Sequence, residues 1–272
     1  MNDDTHDPFE PGWGERWSLP PEARQTLLAA LADGSAAARS EALEMLAYAI
    51  DDEIAAAALE IARGDADASL RAEAAIALGP ALAAMSEAED DDEEPEPLSE
   101  NGFRKVRQAL RSLYHDSGAP TEVRRRALEA AVQAPEAWQE GAVRAAFASG
   151  DPDWRVTAVF CMGYLPGFEQ EILGLLRDQQ PEVVFEAVRA VAQAEVREAG
   201  DRVLALAQAE DAGVDLRVAA IEALAALEPR GALEALRELS ADGHQLVEEA
   251  ALDALALLGV WEEDEEGESD ER

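Results

Sequence analysis

Acid–base, nucleophilic or metal chemistry near neutral pH would fall in this 272-residue sequence to three histidines, one cysteine and a pool of 59 acids. The histidines are scattered: His6 near the N-terminus, His115 at the end of a helical pattern beside Asp116, and His244 in a turn before Gln245. Cys161 lies among Val159, Phe160 and Met162, the setting of a small buried apolar residue. A lone thiol builds neither an internal disulfide nor a metal site with other thiols. Paired carboxylates carry no information when acids are this common, and no G-x-S-x-G elbow, phosphate loop or G-x-G-x-x-G turn is present. No catalytic residue, cofactor or metal ligand is assigned, and the chain is read as a binding protein that is not an enzyme.

The elements that would position any site come from a repeat. A pattern R-x-x-A-x-x-A-L, with substitutions, runs along the chain, beginning with Arg39-Ala42-Met45-Leu46 and ending with Glu248-Ala251-Ala254-Leu255. Its first alanines fall at positions 42, 74, 127, 158, 187, 220 and 251, so one gap of 53 interrupts spacings of 29 to 33. The acidic run Met85–Glu100 fills that gap and is read as an inserted loop. Each pattern predicts a helix, with Asp33, Asp65, Asp151, Asp211 and Asp242 ahead of it as candidate caps and Pro120, Pro152 and Pro181 suited to first turns. A leucine-rich helix precedes each one, for example Leu27, Leu28 and Leu31. Two such helices cannot bury both apolar stripes alone, so the units must stack.

The Asp-turn, Arg, Ala and Ala-Leu-Gly arrangement, clearest from Asp65 through Arg71 to Gly79, resembles the HEAT repeat in the short form also found in phycobilin lyase subunits. The resemblance covers about residues 20 to 260. It implies an all-α fold: a right-handed α-α superhelix, or HEAT-like solenoid, of about seven helical hairpins over 19–261, with an irregular segment 1–18, an acidic insertion 85–101 and an acidic disordered tail 262–272. It also implies an Asp to Arg contact in each hairpin, which Val184 and Glu248, standing where the arginine belongs, would forgo. The di-iron hydroxylases built from similar repeats use several His-Glu pairs, and no His-Glu dipeptide occurs here.

The formal charge is −37. Removing the three acidic segments leaves 37 acids against 20 basic residues, so the repeats themselves carry −17. That field repels phosphate backbones and anionic membranes, and the clustered Lys/Arg stripe that counterion release requires is read as missing. No apolar stretch reaches the roughly 18 residues of a membrane span, and the acidic start is unlike a secretory signal, so the expected location is the cytoplasm. Lys105 is the one lysine beside 21 arginines. An acid-rich, lysine-poor surface suits a cell with concentrated internal salt, and a GC-rich genome depletes lysine similarly.

In HEAT-like stacks the second helix of each hairpin lines the concave side. Counting about 100° per residue from the arginine position leaves offsets +1, +5 and +9 pointing away from the core. These place Val156, Phe160, Tyr164, Phe185 and Val218 on an open face, with Glu129, Glu222 and Asp253 around them. An apolar centre in an acidic rim suits a protein partner offering apolar anchors flanked by Arg or Lys. The same side chains would alternatively be packing between neighbouring helices. An accessory subunit of the lyase type, or a chaperone-like holder of basic proteins, are the competing functional readings. Trp13 and Trp17 are read as a cap over the first hairpin, and Trp138, Trp154 and Trp261 as half-buried packing at helix ends.

Overall fold

The motif alanines set how closely the helices approach. In the computed structural model, which describes residues 17–87 and 96–260, Ala42 is 4% exposed and Ala74, Ala127, Ala158, Ala187, Ala220 and Ala251 are wholly buried. A methyl group at each contact lets neighbouring helices pack at the short end of the usual 8–10 Å separation. Among the described residues the structure is helical, with no strand; an isolated bridge joins Trp17 to Ala49. The chain divides into two units, Met1–Gln139 and Glu140–Arg272.

The first unit holds α1 (Pro21–Asp33), α2 (Ala36–Glu44), α3 (Asp52–Gly64), α4 (Ala68–Ile76), α5 (Gly79–Glu87), α6 (Glu100–His115) and α7 (Thr121–Ala131). α1 packs on α2, α3 on α4 and α6 on α7. Two rows result, α1 on α3 on α6 and α2 on α4 on α7. Their shared core runs through Leu31, Leu46, Ile54, Leu78 and Leu110, and Trp17 packs into it, as expected of a cap. α5 is the exception. The sequence gives no hint of a separate helix there, yet α4 stops at Ile76 and the chain re-enters helix at Gly79, where an added Cβ would stand 2.2 Å from the Gln133 amide. Of the expected insertion 85–101, Met85–Glu87 finish α5, Ser99 caps α6, and 88–95 lie outside the described residues, as do His6, Trp13, Trp261 and the tail 262–272. Asp52 accepts hydrogen bonds from Ser99 Oγ at 2.5 Å and Ser99 N at 3.0 Å, fixing the entry to α6. Beyond α7, the fully buried Gln139 donates to the carbonyls of Ala131 and Ala134 at 2.7 and 3.3 Å and accepts from Glu136 N at 2.8 Å.

α8 (Ala137–Phe147) begins in the first unit and lies mainly in the second, which continues with α9 (Pro152–Met162), α10 (Glu169–Leu175), α11 (Pro181–Gln193), α12 (Gly200–Ala207), α13 (Val214–Leu227), α14 (Ala232–Leu239) and α15 (Gln245–Leu257). α9, α11, α13 and α15 pack in a row, each on the next; α10, α12 and α14 lie against α11, α13 and α15 respectively. At Gly163 a Cβ would come within 2.9 Å of the Ala190 backbone, so the end of α9 approaches α11 as closely as only glycine allows.

Of the aspartates expected to cap helices, Asp33 ends α1 and Asp211 falls two residues before Gly213, the cap of α13, while the other three take one of two roles. Asp151 does cap, accepting from the N–H groups of Asp153 and Trp154. Asp65 and Asp242 fall two residues before the actual caps, Asp67 and His244, and each faces an arginine of an earlier helix instead. Arg39 of α2 pairs with Asp65 at 3.2 Å, and Arg217 of α13 pairs with Asp242 at 2.5 Å. Arg155 of α9 pairs with Asp178, also at 2.5 Å. The arginines additionally close helix ends: Nε of Arg71, Arg124 and Arg217 donates to the carbonyls of Ala62, Tyr114 and Ala207. One planar guanidinium thus satisfies a carbonyl left open at a helix C-terminus and, in α13, also ties the next turn. Hydrogen bonds from Arg155 and Arg217 hold the Asp178 and Asp242 carboxyls below the ordinary aspartate range.

Candidate functional site

The row α9–α11–α13–α15 brings together the side chains expected on the open face of the second unit. Val156 and Phe160 lie one helical turn apart on α9, and Tyr164 follows one turn on; the Phe160 and Tyr164 rings are 5.2 Å apart at 42°. Phe185 sits on the adjoining α11, Val218 and Glu222 on α13, and Asp253 on α15. The five apolar and aromatic residues are half-buried, while Glu222 and Asp253 are exposed. Each ring is therefore partly covered by protein and partly open to solvent.

The centre of this face is a cation. Arg189, one turn beyond Phe185, holds its guanidinium carbon 5.7 Å from the Phe160 ring centre and 5.8 Å from that of Phe185. Such contacts stabilise by about 0.5–1 kcal/mol at exposed sites. Glu186 accepts from the same guanidinium at 3.3 Å. Arg189 links α9 to α11 across the two phenylalanines while remaining largely in solvent. The sequence places Arg189 at a +5 position, but nothing in its spacing announces that two rings converge on it.

Glu129 is a correction. Expected on the acidic rim, it is 4% exposed and pairs with Arg126 at 2.6 Å. The reason is crowding: α7 carries α4, α5 and α6 against it, so a residue pointing away from one neighbour meets another. In the first unit the corresponding face between α2 and α4 is a groove lined by Ser40, Glu44, Glu73 and Ile76.

Among the described residues, those weighed for chemistry are not assembled into a reactive group. Cys161 is buried, His244 is the residue before α15, and His115 packs against Tyr114 and Trp138 with ring centres 4.8 and 5.5 Å away. Among the described residues no group of three or more His, Cys, Asp or Glu side chains is placed to hold a metal ion. No described helix is long and apolar enough to cross a membrane.

A second cluster was missed by the sequence reading. Residues 104–126 contain seven Lys or Arg against two acids, a local excess hidden by the global deficit. Arg111 stands 5.7 Å over the Trp138 ring and Arg124 5.9 Å over Tyr114, whose rings lie 5.3 Å apart. The signal was present as a run of basic residues on α6 and α7.

No protein-family model and no curated protein matches the chain. Among solved structures, human deoxyhypusine hydroxylase in complex with glycerol is similar at 17% identity and a TM-score of 0.43, covering 88% of this chain and 85% of that one. The Escherichia coli protein YibA is similar at 16% identity and a TM-score of 0.43, with 91% and 89% covered. An engineered protein is similar at 19% identity and a TM-score of 0.38, with 86% and 96% covered. The first of these neighbours is an enzyme, and the expectation that this chain is not one is withdrawn.

Proposed function

We propose that this chain is a HEAT-like solenoid of seven helical hairpins, a right-handed superhelix spanning 19–261, and that it binds a partner protein on the face formed by α9, α11 and α13. The pairings α1 with α2, α3 with α4, α6 with α7, and α10 to α15 two by two support six of the hairpins, and the seventh is assigned to α8 and α9 from their order in the chain. The observation that carries the binding reading is the half-burial of Phe160 and Phe185 on adjacent helices around a solvent-facing Arg189. Partly covered rings offer apolar area already fixed in place, so little side-chain freedom is lost on binding. Val156, Tyr164 and Val218 extend the apolar strip, and Glu222 and Asp253 give its edge negative charge. The partner is a helix or extended segment with apolar anchors flanked by Arg or Lys, and neither nucleic acid nor membrane.

Site-specific photo-crosslinking tests this. A photoreactive phenylalanine replacing Phe185 should link to one protein in a lysate of the source cell, and the same group replacing the exposed Leu233 of α14 should not. Equal labelling from both positions would defeat the assignment.

A further inference from the structure

We infer that the outer stripe of α6 is a second docking site, and that its occupant is an acidic segment of a protein. α6 is amphipathic in an unusual sense for this chain. Its buried side holds Val106, Ala109, Leu110 and Leu113, whereas Arg104, Lys105, Gln108, Arg111, Ser112 and His115 are all exposed. At about 100° per residue, Arg104, Gln108, Arg111 and His115 fall in one line along the helix, with Lys105 and Ser112 beside it.

The charges on this stripe are uncommitted. Among the described residues no carboxylate lies within ion-pair distance of Arg104, Lys105 or Arg111; Arg104 donates only to the Glu100 carbonyl, at 3.4 Å. The neighbouring Glu136 is already occupied, by Arg107 at 3.0 Å and by Trp138 Nε1 at 3.0 Å. Glu100 at the start of the helix and Asp116 just past its end are the acids flanking the stripe. Arginines elsewhere in this unit, such as Arg24, Arg39 and Arg107, hold a carboxylate, whereas among the described residues three cations stand together on this exposed face without one.

A second observation marks the C-terminal end of the stripe. Arg111 lies over Trp138, and Trp138, Tyr114 and His115 form a three-ring cluster with centres 4.8 to 5.5 Å apart. Trp138 and Tyr114 are half-buried. The site therefore offers cations followed by aromatic faces, which fits carboxylates followed by an apolar or aromatic side chain.

Size and field favour a protein segment over nucleic acid. From Arg104 to His115 the helix rises about 16 Å, the reach of roughly five extended residues. A polyanion longer than that leaves the stripe and meets a chain of net charge −37, whereas a short acidic segment needs only the local patch. Screening over about 8 Å at physiological ionic strength keeps the patch distinct from more remote acids. This site lies within the first unit and does not depend on the recognition face of the second.

The test is fluorescence anisotropy with a labelled Glu-rich peptide carrying one central Phe, against the full chain and its Arg104→Glu, Lys105→Glu, Arg111→Glu triple variant. Reversing three exposed charges should weaken binding at least about tenfold, while Arg237→Glu on α14 leaves it unchanged. Raising salt should weaken binding to the wild type. Circular dichroism of the triple variant should match wild type, since all three side chains are exposed. The inference is overturned if the peptide does not bind, if the triple variant binds it equally, or if a single-stranded oligonucleotide of matched length binds more tightly than the peptide.

Discussion

Arg217 joins three elements at once: from α13 its Nη2 meets Asp242 Oδ2 at 2.5 Å, in the turn between α14 and α15, while its Nε donates to the Ala207 carbonyl at the end of α12. The arginine is buried, so neither bond is freely replaced by water. Arg217→Ala should lower unfolding free energy by about 1.5–3 kcal/mol, the range for hydrogen bonds to a charged group. Arg63→Ala, which removes an exposed intrahelical pair with Glu60, should cost under about 0.5 kcal/mol. Urea unfolding of the two variants reads the contrast, and equal losses would deny the Arg217 contacts their role.

The same pair gives a pH signature. Asp242 and Asp178 titrate below the ordinary aspartate value because an arginine binds their charged forms. A carboxyl depressed in the folded state contributes stability above the unfolded value of about 3.9, and that contribution is lost as pH falls through the lower folded value. The stability gap between wild type and Arg217→Ala should therefore stay constant from neutral pH to about pH 5 and narrow below about pH 4. Thermal melts of both proteins across that range check the sign; a gap that widens on acidification would contradict it.

Overpacking should expose the role of the motif alanines. Ala187 is wholly buried where α11 packs between α9 and α13. Ala187→Leu should destabilise by about 1–3 kcal/mol, since a close-packed contact cannot admit three more carbons without moving a helix. Ala226→Leu, on the exposed side of α13, should stay within about 0.5 kcal/mol of wild type. Calorimetry distinguishes the two.

The repeat was the legible part of the sequence because buried alanine has few substitutes: the first alanine of every motif, from Ala42 to Ala251, is buried. Cap positions were less legible. Asp65 and Asp242 look like caps by spacing, and only the structure brings them against Arg39 and Arg217, which are distant in sequence. α5 was not legible because glycine and proline at 79 and 80 interrupt a helical pattern, whereas Pro80 sits in the first turn of a new helix. The proposed recognition face was legible as a set of helix offsets, yet Glu129 failed because a helical wheel does not know how many neighbours a helix has. Arg189 and the α6 stripe were visible as residues and invisible as sites, because their meaning lies in which rings approach them and which acids do not.

Net charge provides a further check. With a charge of −37, self-repulsion works against the compact state, and molar salt shortens the screening length to about 3 Å. The melting temperature should rise between low and molar KCl; no change would mean that the acids are already balanced locally.

The most direct measurement takes the Phe160→Asp, Phe185→Asp double variant and records its thermal unfolding together with its capture of the partner at near-physiological salt. Wild-type helix content, a single cooperative transition and loss of capture are expected, because both rings are already partly exposed to water. A variant that no longer folds would show that these rings serve packing between α9 and α11, and a folded variant that still captures the partner would place recognition elsewhere.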